Sequence, residues 1–94
     1  MKFREKYEHI LSYHPDILIV PECECRDKYK TKFYDQILWI GDNKWKGLGV
    51  FSFNGFQIEM HDSYCDDFRY VIPVKMTRPE NNVINLIAIW SQNK

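Results

Sequence analysis

The sequence predicts an α+β domain: one N-terminal helix packed on a mostly antiparallel sheet of about five or six strands. Three observations carry that prediction. Residues 2–13 place apolar side chains at helical spacing. From Pro15 onward, β-branched and aromatic runs are separated by turn compositions. Two of those runs, 17–20 and 83–90, are nearly continuous in apolar residues and read as strands covered on both faces. With 94 residues, one domain is the limit, and the 45% apolar content suffices for a real core.

The helix comes first. Phe3, Tyr7, Ile10 and Leu11 fall at i, i+4, i+7 and i+8, with Lys2, Arg4, Glu5, Lys6, Glu8 and His9 on the remaining surface. Pro15 disfavours helical geometry at His14, so the helix is expected to end near Tyr13. The strand Ile17-Leu18-Ile19-Val20 follows, opened by Pro15 and closed by Pro21, since proline cannot donate from the middle of a ladder. It delivers a carboxylate, Glu22, to its C-terminal end, where sheets flanked by helices tend to bind ligands. Segment 23–35 offers a helical turn through Tyr29 and Phe33. It also groups Arg26, Lys28, Lys30 and Lys32 beside aromatics, an arrangement that can hold a phosphate backbone but is interrupted by Asp27 and Asp35.

Strand 37–40 ends in the turn composition Gly41-Asp42-Asn43. Trp39 reads as core and Trp45 as a loop aromatic. Strand 48–53 is joined by Asn54-Gly55, a strong hairpin signal, to an antiparallel partner at 56–60. Residues 61–67 form a polar, acidic loop. Strand 68–77 contains Pro73, which argues for an edge position or a bulge. A turn at 78–82 leads into the apolar run 83–90.

Charge and cysteines narrow the function classes. Net charge is zero, so no global basic field draws nucleic acid. The N-terminus is charged and lacks the apolar stretch of a signal peptide, and no apolar run reaches membrane-spanning length. Three cysteines, an odd number, fit free thiols in a reducing cytoplasm. Two metal constellations are conceivable. Cys23, Cys25, His61 and Cys65 are four zinc-type ligands, although C-x-C with H-x-x-x-C is not a common zinc spacing. Glu22, Glu24, Asp62, Asp66 and Asp67 could line one mouth of the sheet as oxygen ligands for Mg²⁺ or Ca²⁺.

"PDILIVPE" (15–22) resembles the "PDI-x-x-x-QE" signature of the endonuclease/exonuclease/phosphatase superfamily, the DNase I-like hydrolases, with Pro21 where that family usually has Gln. "KGLGVFSF" resembles the family's "GxGVAILS" strand, "FRYVIPVKM" its "R-x-L-x-V" strand, and "VINLIAIW" the strand leading to "N-x-H-L", with Trp90 in the histidine region. The resemblance implies half of a DNase I-like sandwich. It implies Glu22 as a ligand for Mg²⁺ or Mn²⁺ and Arg69 as a phosphate-facing residue. The family's "GDxN" and "SDH" motifs have no counterpart here, so the resemblance implies a truncated piece of a metal-dependent phosphoesterase, catalytically incompetent alone. Phosphate-ester or nucleic-acid substrates would then belong to a full-length relative. With one sheet where the family has two, one apolar sheet face would lack cover. The expectation is then a homo-oligomer, a two-fold dimer through that face. The alternative is a small non-catalytic protein whose sheet face binds itself or another chain.

Overall fold

The computed structural model describes residues 2–65 and 70–91. Among these, α1 spans Phe3–Leu11, β1 Ile17–Cys23, a 3₁₀ turn Arg26–Lys28, β2 Gln36–Asn43, β3 Lys46–Ser52, β4 Gln57–Met60, β5 Val71–Thr77 and β6 Val83–Ile89. Asp66, Asp67 and Arg69 lie outside the described residues.

The α+β class holds, but the single sheet does not. Two antiparallel three-stranded sheets form, ordered β1-β3-β2 and β4-β5-β6. The cause is visible at the Asn54-Gly55 turn. Both residues take positive φ there, +58° and +83°, as the sequence predicts. The flanking strands nevertheless do not pair. β3 is already bonded on both edges, to β1 through Ile17↔Ser52 and to β2 through Gln36↔Ser52. Its neighbour strand therefore has no free ladder to join. β4 turns away and pairs with β5 instead. The corner is tied by side chains: Ile58 N–H donates to Gln36 Oε1 at 2.7 Å, and Gly55 N–H to Asp35 Oδ2 at 2.9 Å.

Three layers result. One face of β1-β3-β2 packs Leu48 and Val50, with Ile17, Leu38 and Ile40, against Ile58, Ile72, Val74, Met76 and Ala88 of the second sheet. The opposite face carries Val20, Cys23 and Phe51 under α1 and the aromatic segment that follows the 3₁₀ turn. Phe3 is fully buried there, with ring centroids 5.3 Å from Phe51 and 5.9 Å from both Tyr29 and Phe33. Tyr7 stacks on Phe33 at 4.0 Å. The period-two alternation of β3 splits its residues between these two cores. Gly47 and Gly49 admit the covering side chains: a Cβ on Gly47 would collide with the Trp39 ring, and one on Gly49 would lie 2.6 Å from Cys23 Sγ.

Three further expectations are adjusted. The helix stops at Leu11, and His14 takes φ +55° before Pro15, closing the helix with an N–H bond to the Leu11 carbonyl. Pro73 sits in β5, the central strand, not in an edge strand. It is tolerated because β4 ends at Met60, opposite Val74, so no ladder N–H is demanded; the Pro73 carbonyl accepts from His61 N–H at 2.9 Å. β6 is covered on one face only, the other lying open to solvent.

Candidate functional site

The end of β1 is where the sequence places its chemistry. Pro21 and the loss of regular register between Val20 and Cys23 disrupt this edge, and Glu22 takes φ +56°, a conformation costly for a residue with a Cβ. The kink turns successive acids opposite ways. Glu22 is exposed, on the rim of an open cleft of about 510 Å³ lined also by Lys2, Arg4, Glu24, Asn43, Trp45 and Lys46. Glu24 is 2% exposed. Its carboxylate accepts from Arg4 Nη1 at 2.7 Å and from the Arg4 backbone N–H at 3.2 Å. It thereby serves as a cap, from twenty residues away, for a helix whose own N-cap residue, Lys2, supplies no side-chain bond.

Further hydrogen bonds and ring contacts tie this joint to its surroundings. Tyr29 O–H donates to the Glu24 carbonyl at 2.6 Å, and Trp39 Nε1–H to the Cys23 carbonyl at 3.0 Å. Cys25 N–H donates to the Lys44 carbonyl at 2.9 Å. The Trp45 ring carries Lys28 Nζ 4.2 Å and the Arg4 guanidinium 5.0 Å from its centroid. Burial chiefly pushes the Cys23 thiol up to about 12, with the charge of Glu24 adding and a Tyr29 hydrogen bond opposing. Burial likewise raises Tyr29 far above the ordinary phenol range, and raises Tyr34. These groups stay protonated and neutral at ordinary pH, which describes a structural joint better than an acid–base centre.

The zinc constellation does not assemble. Among the described residues, no group of three or more His, Cys, Asp or Glu side chains could hold a metal ion. Cys23 is buried in the helix-side core, Cys25 is half-buried beside it, and Cys65 is exposed. His61 follows β4 in the other sheet, with Nδ1 against Ser63 Oγ at 2.9 Å. Of the oxygen-ligand set, Glu22 and Glu24 share the cleft but Glu24 is committed to Arg4; Asp66 and Asp67, like Arg69, lie outside the described residues. The sequence reading missed the Arg4–Glu24 pair. The signal available was an acid and a base far apart in the chain, which no spacing rule connects.

The second candidate surface is the outer face of β4-β5-β6. Register alternation sends Ile72, Val74, Met76, Ile84, Leu86 and Ala88 to the core side and Val71, Pro73, Ile87 and Ile89 to the opposite side as facing pairs, Val71↔Ile89 and Pro73↔Ile87. Ile87 is 63% exposed, Ile89 62% and Val83 53%. A Lys75–Glu59 pair at 3.6 Å borders this apolar block.

No family model matches the chain, and no curated protein or solved structure matches it either. None of the described helices is long and apolar enough to cross a membrane.

Proposed function

We propose that this chain works as a binding module, and that its working surface is the outer face of the β4-β5-β6 sheet. The observation that carries this reading is the exposure of Ile87 and Ile89 on one face of β6, beside Val71 and Pro73 on β5, with Val83 on the same face beyond Asn85. Single exposed apolar residues are ordinary on protein surfaces, whereas a contiguous apolar block with a polar border is the mark of an interaction site. The strand β6 is uncharged from Val83 to Ile89, and Lys75, opposite Asn85, borders the block of Ile87, Ile89, Val71 and Pro73. A partner would gain by removing that area from water, at roughly 25 cal/mol per Å². The test is binding of an apolar fluorescent probe, 8-anilinonaphthalene-1-sulfonate, mapped by amide NMR. Saturable shifts centred on β5 and β6, abolished in an Ile87→Lys/Ile89→Lys variant that remains folded, are expected. Shifts confined to another surface would overturn the assignment.

A second reading keeps the resemblance to metal-dependent phosphoesterases, with Glu22 as a Mg²⁺ or Mn²⁺ ligand. Its support is the positive φ of Glu22 on the rim of the cleft, since strained backbone concentrates at functional positions. A metal titration tests it.

A further inference from the structure

We propose that a second copy of this chain pairs with β6 edge to edge and antiparallel, joining two β4-β5-β6 sheets into one six-stranded sheet about a two-fold axis at Leu86. The proposal goes beyond the binding-module reading: it concerns the β6 edge, and the outer face of the sheet stays open in the pair.

Among the described residues the two sheets have four edges, and three are blunted. β1 is broken by Pro21 and by the left-handed Glu22 within a register shift. β2 loses register between Ile40 and Asn43 and carries Asp42. β4 is four residues long, and its outward N–H at Ile58 is taken by Gln36. These are the devices by which sheets avoid edge pairing. β6 has none of them. Its seven residues, V-I-N-L-I-A-I, contain no proline and no charge, and they follow β5 in unbroken register from Val71↔Ile89 to Thr77↔Val83.

The direction of the unpaired groups follows from the ladder. In an antiparallel strand, N–H and C=O of one residue point to the same side and those of the next residue to the other. Trp90 N–H donates to the Tyr70 carbonyl at 2.9 Å, one step beyond the Ile89↔Val71 pair. Ile84, Leu86 and Ala88 therefore bond inward to β5. Pro73, opposite Ile87 and without an N–H, fits this phase, because its carbonyl points to His61 on the β4 side. Val83, Asn85, Ile87 and Ile89 consequently turn their backbone groups to the free edge.

That edge is complementary to itself in one register above the others. Centred on Leu86, Val83 faces the partner's Ile89 and Asn85 faces the partner's Ile87, and the reverse. All four outward residues then oppose one another as bonded pairs, giving about eight backbone hydrogen bonds, near the ten or so of an ordinary specific interface. Shifting the centre by one residue either way leaves an outward residue opposite no outward residue of β6. Because the strand is uncharged, a second copy meets no repulsion, while a charged peptide strand would gain no ion pair from it. The pairing also places Leu86, half-exposed in one chain, against its own copy on the core side, and extends the apolar outer face across the axis.

The experiment is a concentration series, from about micromolar to millimolar, read by sedimentation velocity and by amide hydrogen exchange. Dimerisation is expected, with the Val83, Asn85, Ile87 and Ile89 amides slowing by roughly tenfold or more as the dimer forms, while Ile84, Leu86 and Ala88 exchange slowly throughout. Asn85→Pro removes one outward N–H and spares the β5 ladder, so it is expected to abolish the dimer. A dimer that lacks the alternating protection, survives Asn85→Pro and is lost with Ile87→Lys/Ile89→Lys would overturn edge pairing and leave face binding standing. A chain that stays monomeric at millimolar concentration would overturn the second copy as partner, with the probe-binding map still deciding the face. Should Asn85→Pro fail to fold, the exchange pattern of the unaltered chain decides alone.

Discussion

The joint between Arg4 and Glu24 gives the most quantitative prediction. Replacing Arg4 by Ala leaves a carboxylate that is 2% exposed with its backbone donor at 3.2 Å but without its counter-ion at 2.7 Å. Breaking a buried ion pair from one side costs about 3–5 kcal/mol, and the low end applies because the Arg4 side chain is 28% exposed. Loss of the guanidinium over Trp45 adds about 0.5–1 kcal/mol. A total of about 3–4 kcal/mol is expected, which lowers Tm by roughly 12–30 °C in a domain of this size. Glu24→Gln retains a neutral oxygen for the Arg4 N–H and is expected to cost less, about 1–2 kcal/mol. The double variant is then expected to be less destabilised than the sum of the singles by about 2 kcal/mol. Urea unfolding of the four proteins measures this, and the coupling is expected to fall less with salt than that of an exposed pair, since Glu24 is buried and Arg4 only partly exposed. A coupling below about 0.5 kcal/mol would refute the claim that this pair anchors the helix to the sheet.

Other expectations concern the same layers. The Cys23 thiol, raised to about 12 from its ordinary 9.0, stays protonated in the folded chain, so iodoacetamide at pH 8 is expected to label the exposed Cys65 and spare Cys23 until the protein unfolds. Because the folded value lies above the unfolded one, this contribution to stability is complete below pH 9 and drains away as pH rises towards about 12; comparing the urea midpoint of Cys23→Ala with that of the unaltered chain across that window isolates it. Gly47→Ala drives a methyl group into the Trp39 ring and the Ile40 carbonyl, and a loss of about 2 kcal/mol or more in thermal unfolding is expected. For the metal reading, Mg²⁺ or Mn²⁺ titrated into the protein is expected to move amides around Glu22 saturably, and not in Glu22→Ala; no shifts at tens of millimolar metal would remove Glu22 as a ligand.

Much of the local structure was legible in the chain. The stripe of Phe3, Tyr7, Ile10 and Leu11 specified a helix and its buried side, while Pro15 only limited its reach: the end expected near Tyr13 falls at Leu11. Apolar runs marked the strands and Asn54-Gly55 marked its turn, but β1 runs on through Pro21 to Cys23 and β2 through Gly41-Asp42-Asn43, both of which the sequence reads as strand ends. Those signals are local: they depend on period, on proline and on tolerance of positive φ. Pairing is not local. Nothing in 48–60 reveals that β3 already has two partners, both earlier in the chain, and so cannot accept β4. That saturation turned one expected sheet into two.

The candidate sites divide the same way. The sequence identified Glu22 as the acid after a buried strand, but Pro21 and the positive φ beside it decide that Glu22 meets solvent while Glu24 goes inward to Arg4. The continuous apolar run of β6 read as covered on both faces, because composition records hydrophobicity and not which neighbours arrive. The chain brings a layer to one side only, and leaves Val83, Ile87 and Ile89 on the other. Residue types and their spacing thus determined the elements and the acids near the kink; the allocation of two edges per strand and two faces per sheet, settled only when all elements compete for them, decided which surface stayed open.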